Sequence, residues 1–266
     1  RIALLVAGAG ALVVADLVGW PATYLLLAGL MLLGAGVAVV SPDPGRVAEA
    51  PKTMREAIGA PLAEFFSRPS AMGFLAVILL YKLGDAAASA LQTAFLIGGV
   101  GFSSAEVGYV KGVGIGATLL GALCGGLLMA RLGLLRALLV FGLLQALSNL
   151  GFMLLAWDGK NTVLLGAVVV VENITGGMGT AAFVALVMSL CDPRYTATQF
   201  ALLSSLEAVG RVFAGRPAAE VVALVGWAAF FALTFAVALP GLWAVWRMRT
   251  RIDTGRVSAV VEAEAL

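Results

Sequence analysis

Hydrophobic residues along this chain run in blocks of about twenty, the length that crosses a bilayer as a helix. Eight such blocks are read, at 2–19, 21–40, 71–98, 105–130, 136–156, 163–190, 197–215 and 225–246. Two stretches interrupt them. Residues 41–70, "SPDPGRVAEAPKTMREAIGAPLAEFFSRPS", are polar and rich in Pro and Gly, with "MREAIGAPLAEFFS" suited to a short interfacial helix. Residues 247–266 form a polar tail.

Lys and Arg in alternate loops orient the spans. Arg1, Arg46, Lys52, Arg55, Arg68, Arg131, Arg136, Arg194, Arg247, Arg249, Arg251 and Arg256 fall on one side, against Lys160 and Arg216 on the other. The richly basic side, with the segment 41–70 and the tail, is expected in the cytoplasm. Two spans, a cytoplasmic linker and six spans are how the end of one bundle and the whole of a second are arranged in two-bundle transporters. The expected fold is an all-α membrane protein of the major facilitator type. Residues 1–40 are read as the last two helices of an N-terminal bundle, 41–70 as a cytoplasmic linker, 71–246 as a complete six-helix C-terminal bundle, and 247–266 as a cytoplasmic tail. The chain opens "RIALLVAGAG", without Met or a basic leader, so it is expected to be a fragment beginning inside a longer protein.

Composition agrees: 61% of the 266 residues are hydrophobic and 12% charged, with a mean hydropathy of +1.03. That is about half the charge of a soluble domain, too little to coat one. A net charge of +2, spread over short loops, gives no nucleic-acid footprint. With no histidine, histidine-based metal sites and proton relays are excluded; no metal, cofactor or catalytic group is expected. Cys124 and Cys191 are read as small buried apolar residues.

Ionisable residues inside spans carry the functional signal, because such groups usually face a cavity or a partner. Lys82 and Asp85 stand at i and i+3, Glu207 and Arg211 at i and i+4, so each set can pair on one helix face. Two readings of these pairs stay open, a self-neutralising structural bridge or a site. Gln92 lies two turns beyond Asp85 on the same face, giving a candidate substrate face with Lys82 attracting carboxylates. Glu172, in "VVVVENITGGMG", has no basic residue within one turn. A carboxylic acid withheld from water can keep its proton at neutral pH, so Glu172 is the first candidate for proton coupling, with Glu207 and Arg211 beside it. Gln145, Asn149 and Asn173 complete the substrate candidates, within a wider set that includes Thr93, Ser148, Thr175, Thr180, Thr198, Gln199, Ser204 and Ser205. Amides and hydroxyls at this density suit a sugar or peptide ligand, and some serve as interhelical bonds. Gly108, Gly112 and Gly116, then Gly121 and Gly125, permit close helix approach, either by sliding against another bundle or by plain packing.

The loop "GGLLMARLGLLRALL" (125–139) resembles the cytoplasmic signature of major facilitator transporters. Gly126, Arg131, Gly133 and Arg136 match it, whereas Ala130 stands where its Asp belongs. Longer segments, "LYKLGDA" (80–86), "FLIGGVGFSSAEVGYVKG" (95–112), "GGLLMARLGLLRALLVFGLLQALSNLGF" (125–152) and "VENITGGMGTAAFVALVMSLCDPRYTATQFALLSSLEAVGR" (171–211), resemble the AmpG-type anhydromuropeptide permeases. "GALVVADLVGWPATYLLLAGL" (10–30) is similar to the end of that family's first bundle. The resemblance implies a secondary transporter of the bacterial inner membrane. It would import N-acetylglucosamine–anhydro-N-acetylmuramyl peptides by proton symport and alternating access, in support of peptidoglycan recycling. Its implied partners are lipid, muropeptide and protons, with no nucleic acid and a monomeric state. A facilitator for another solute, such as acetyl-coenzyme A, is the alternative. An integral-membrane transferase fits poorly, since the outer loops are short and hold no nucleophile–base set.

Overall fold

The computed structural model describes residue 14 and residues 19–41 and 54–252; the side chains of 54–57 and of Arg211 lie outside the described set. The span expected at 2–19 and the tail from 253 therefore lie outside the described residues, apart from residues 14 and 19. Two units divide the chain after Ala50. In the first, α1 (Trp20–Val40) begins with Pro21 in its first turn, and the Thr23 hydroxyl donates to Gly19 O at 2.9 Å.

The second unit holds α2 (Met54–Ser67), α3 (Ala71–Tyr81), α4 (Leu83–Ala94) with a π-turn at Phe95–Gly99, α5 (Ser104–Leu132), α6 (Leu134–Asp158), α7 (Thr162–Ser189) and α8 (Thr196–Arg247). Six stretches among the described residues, α1 included, are long and apolar enough to cross a membrane. The last, α8, has 52 residues, about 78 Å if straight, far more than one crossing needs. Gly226, at φ 79° and ψ 170°, breaks it into arms 196–225 and 227–247. The first arm outruns the expected span 197–215. Arg216 and Glu220, expected in an outer loop, are a helical i,i+4 pair at 3.4 Å with side chains 92% and 69% exposed.

The turns follow from local chemistry. Gly133, at φ 81°, is the whole connection between α5 and α6, and Gly159, at φ 82°, ends α6. Only glycine takes that conformation freely, which explains the Gly of the loop signature. Ser103 and Glu106 form a capping box at the start of α5, and the Asn161 carboxamide oxygen accepts from Val163 N and Leu164 N at the start of α7.

Two corrections to the sequence reading arise here. The span at 71–98 is not one helix: it breaks at Lys82, whose backbone (φ −101°, ψ 0°) ends α3 and begins α4. Cys124 is exposed and Cys191 half-buried, its thiol donating to Val187 O at 3.2 Å. In a membrane an apolar side chain is sheltered by hydrocarbon as well as by protein, so an apolar helix does not dictate which of its residues turn inward. The stretch "MREAIGAPLAEFFS" in the polar segment 41–70 is helical, as its sequence suggested. It is α2, with Phe65 (3% exposed) in the core of the bundle.

That core comes in two apolar clusters. One gathers Phe74, Ile78, Tyr81, Leu138, Phe141, Phe183, Leu186 and Val245 toward the basic ends of the helices. The other gathers Phe95, Phe102, Phe152, Leu165, Phe230 and Phe231 toward the opposite ends. On α3–α4, α6, α7 and the second arm of α8, the residues between the clusters include the buried polar ones: Lys82, Gln145, Ser148, Asn149, Thr175 and Thr234. The bundle is an apolar–polar–apolar stack.

Candidate functional site

The polar layer is built around the break at Lys82. Tyr81 pins the end of α3: its hydroxyl donates to Leu138 O at 3.0 Å, and its ring stacks on Phe183 at 5.9 Å. On either side of the break the backbone touches the second arm of α8. A Cβ on Gly241 would lie 2.6 Å from Leu80 O, and one on Gly84 would lie 2.6 Å from Thr234 O. Those glycines let the broken helix and α8 approach backbone to backbone.

The Lys82 side chain turns inward and is 7% exposed. Its ammonium donates to Gln145 Oε1 on α6 and Thr180 Oγ1 on α7, each at 3.2 Å. Asp85 Oδ2 is 3.6 Å away, an ion pair longer than a hydrogen bond. Room for this meeting comes from α7, where a Cβ on Gly179 would collide with Gln145 Oε1 and lie 3.9 Å from Lys82 Nζ. The structure thus brings together Lys82, Asp85 and Gln145, as the pattern suggested, and adds Thr180. That threonine stood in the sequence only as one hydroxyl among many; its reach to Lys82 depends on the α3–α7 packing.

Two candidate amides are deeply buried and incompletely bonded. Asn149 is 1% exposed with neither Nδ2 nor Oδ1 partnered, and Gln145 Nε2 is likewise without a partner. Ser148 donates to Gln145 O at 2.7 Å and lies 3.2 Å from the Thr175 hydroxyl.

Glu172 lies two turns of α7 from Thr180. Its carboxylate accepts from Asn173 Nδ2 at 2.8 Å, is within polar reach of Gln92, and feels the charges of Asp85, Lys82 and Lys111. Lys82 and Lys111, on other helices, thus lie within electrostatic range of a carboxylate that has no basic neighbour on its own helix. Lys111 donates to Thr93 Oγ1. Asn173, a substrate candidate in the sequence, has its amide fully engaged: Nδ2 also donates to Val169 O, and Oδ1 accepts from Thr118 Oγ1 at 2.7 Å. Glu106 caps α5 and pairs with Lys160 at 3.0 Å. Glu207 is half-buried on the first arm of α8, and no hydrogen bond among the described residues joins it to the Lys82 group; the Arg211 side chain lies outside the described residues.

The glycine sets on α5 separate. Cβ atoms on Gly121 or Gly125 would strike Ile174 and Met178 of α7, whereas Gly108, Gly112 and Gly116 have no described atom within 4 Å of such a position.

A second polar cluster caps the basic end. Arg68 grips Glu64 with Nε to Oε1 at 2.9 Å and Nη2 to Oε2 at 2.8 Å, and donates to Leu190 O at 2.6 Å. Gln199, 2% exposed, donates to Pro61 O at 3.0 Å and Glu64 Oε2 at 2.6 Å, and accepts from Asp192 N at 2.6 Å. The Arg194 guanidinium bonds Asp192 and holds that carboxyl below its usual range.

The family model of the Major Facilitator Superfamily matches residues 2–215. The chain belongs to the major facilitator superfamily. Among curated superfamily relatives, the "Anhydromuropeptide permease" of Escherichia coli (strain K12) is 48% identical over 260 residues, covering 97% of this chain and 53% of that protein. An "Uncharacterized protein" of Haemophilus influenzae is 35% identical over 274 residues, covering 98% and 64%. "Putative transporter AmpG 4" of Rickettsia conorii is 30% identical over 261 residues, covering 95% and 63%. The chain spans between about half and two thirds of the length of these relatives. It is a multi-pass membrane protein.

Proposed function

We propose that this chain supplies the six-crossing bundle of a two-bundle importer of muropeptides, N-acetylglucosamine–anhydro-N-acetylmuramyl peptides. The importer works as a monomer in the bacterial inner membrane and is driven by the proton gradient. The name of the Escherichia coli relative and the extent of its identity support the substrate class. The observation that carries the reading is the Lys82 ammonium at the middle of the bundle, bonded to two neutral oxygens and only loosely paired with Asp85 at 3.6 Å. A cation in that place is costly unless something uses it. A peptide carboxylate arriving beside Asp85 gains a desolvated, positioned ammonium, while Gln145 Nε2 offers an unspent donor to sugar or peptide oxygen. Glu172, electrostatically tied to Lys82, Asp85 and Lys111, is the carboxylate placed to take a proton as substrate charge moves past it.

The test replaces both charges in the intact transporter, Lys82→Met with Asp85→Leu, so that neither is left alone. The double variant should reach the membrane at normal levels and bind muropeptide about thirtyfold more weakly. Uptake at the unmodified level would overturn the assignment of Lys82 to substrate. Glu172→Gln should abolish gradient-driven uptake and leave counterflow intact; undiminished driven uptake would remove Glu172 from the coupling.

A further inference from the structure

Between α5 and α7 runs a short chain of side chains that the substrate face does not use. Thr118 Oγ1 lies 2.7 Å from Asn173 Oδ1 and 2.9 Å from Gly114 O. Asn173 Nδ2 donates to Val169 O and to Glu172 Oε2, both at 2.8 Å. The amide has one orientation that works: its nitrogen faces two atoms that only accept, so its oxygen must face the Thr118 hydroxyl. Gly114 closes the arrangement from α5. A Cβ there would lie 2.9 Å from Asn173 Nδ2, 3.1 Å from its Cγ and 3.2 Å from Val169 Cγ1. The amide therefore sits in a slot cut by a missing side chain and is held at both ends.

We propose that Gly114, Thr118 and Asn173 are positioning residues for the Glu172 carboxylate, fixing it from α5 so that its charge state is read against Lys82, Asp85 and Lys111. The inference rests on the reading of Glu172 as the proton-carrying group. Without the Thr118 hydroxyl, Asn173 Oδ1 is left without a partner and the amide is held only through its nitrogen, so its hold on the Glu172 carboxylate loosens. Of the other groups around Glu172, Gln92 reaches it from α4 and stays in place in every Thr118 and Gly114 variant, while Lys111 is engaged with Thr93 and Lys82 with Gln145 and Thr180. Thr118 touches neither Glu172 nor the Lys82 group in the hydrogen-bond network, so its effect on transport has to pass through Asn173.

The experiment compares gradient-driven uptake with counterflow of radiolabelled muropeptide in the intact transporter reconstituted in vesicles. Thr118→Val keeps the shape and removes the hydroxyl; it should lower driven uptake about tenfold, the upper scale of one lost neutral hydrogen bond, and leave counterflow unchanged. Thr118→Ser should restore driven uptake. Gly114→Ala, which displaces Asn173 from the other side, should reproduce the Thr118→Val phenotype. A merely structural role would depress driven uptake and counterflow together, and that result overturns the inference, as does unaltered driven uptake in both Thr118→Val and Gly114→Ala. If Glu172→Gln itself leaves driven uptake intact, the reading of Glu172 fails; if Glu172→Gln abolishes it while Thr118→Val does not reduce it, the positioning role alone fails.

Discussion

The two polar clusters of the bundle use the same kinds of residue to opposite ends. At the basic end, Glu64, Arg68, Gln199 and the 190–195 turn match donors to acceptors almost completely, with a bidentate Arg–carboxylate pair at the centre. In the mid-layer the ion pair is long, and Gln145 and Asn149 keep unpartnered amide atoms under full burial. A closed network spends its bonds on holding α2 and the α7–α8 turn in place. An open one costs stability, and a buried unsatisfied group is tolerated where something else uses it. On the proposed function, the difference separates a structural clasp from a binding layer.

The largest break in that comparison is Gln199→Leu. It leaves Asp192 N without a partner, removes a donor from Pro61 O and weakens the hold on Glu64, so thermal unfolding in detergent should show a loss of about 3 kcal/mol. Lys82 should be unaffected, and muropeptide affinity in the protein that remains folded should be unchanged. If Gln199→Leu costs nothing, the cluster is not a clasp.

Asn149→Leu sharpens the contrast in the other direction. It replaces two unpartnered polar atoms by hydrocarbon of similar size and should raise stability by about 1 kcal/mol while reducing uptake. A destabilised variant would mean that Asn149 is satisfied in the membrane and that the layer is less open than its bonds indicate.

The smallest effect belongs to the edge of the clasp. Arg194 keeps the Asp192 carboxyl ionised below its usual range, so the pair stabilises the fold above the unfolded value of about 3.9. That contribution is lost as pH falls through the lower, folded value. Asp192→Asn should cost about 0.3 kcal/mol, constant from about pH 8 to pH 5, with wild type and variant converging only below about pH 3.9. A difference that closes near neutrality would assign the effect to another group.

Much of the fold was legible because a bilayer imposes one length and one polarity on every crossing. The spans from 71 onward, the Lys82–Asp85 pair and the polar character of Gln145 and Asn149 could all be read along the chain. The break at Lys82 could not, since "LLYKLGDA" carries no proline there, and Gly84 alone does not distinguish a break from close packing. It takes Gln145, Thr180 and Asp85 arriving from three directions to draw the ammonium inward. Asn173 illustrates the same limit: as a residue type it suited substrate, yet its amide is already committed to Val169, Glu172 and Thr118.

The glycines of α5 draw the same line. Their spacing permits a helix to approach a neighbour closely on one face. Which face meets which neighbour is a matter of helix rotation. Gly121 and Gly125 are pressed on Ile174 and Met178, while Gly108, Gly112 and Gly116 meet no described atom. The sequence by itself determined that the chain crosses a membrane and that charge is kept within its spans. Only the tertiary structure decided which side chains share a partner. Hydropathy is a property of one helix against its solvent, whereas a hydrogen bond between helices depends on rotation and register that no single segment encodes.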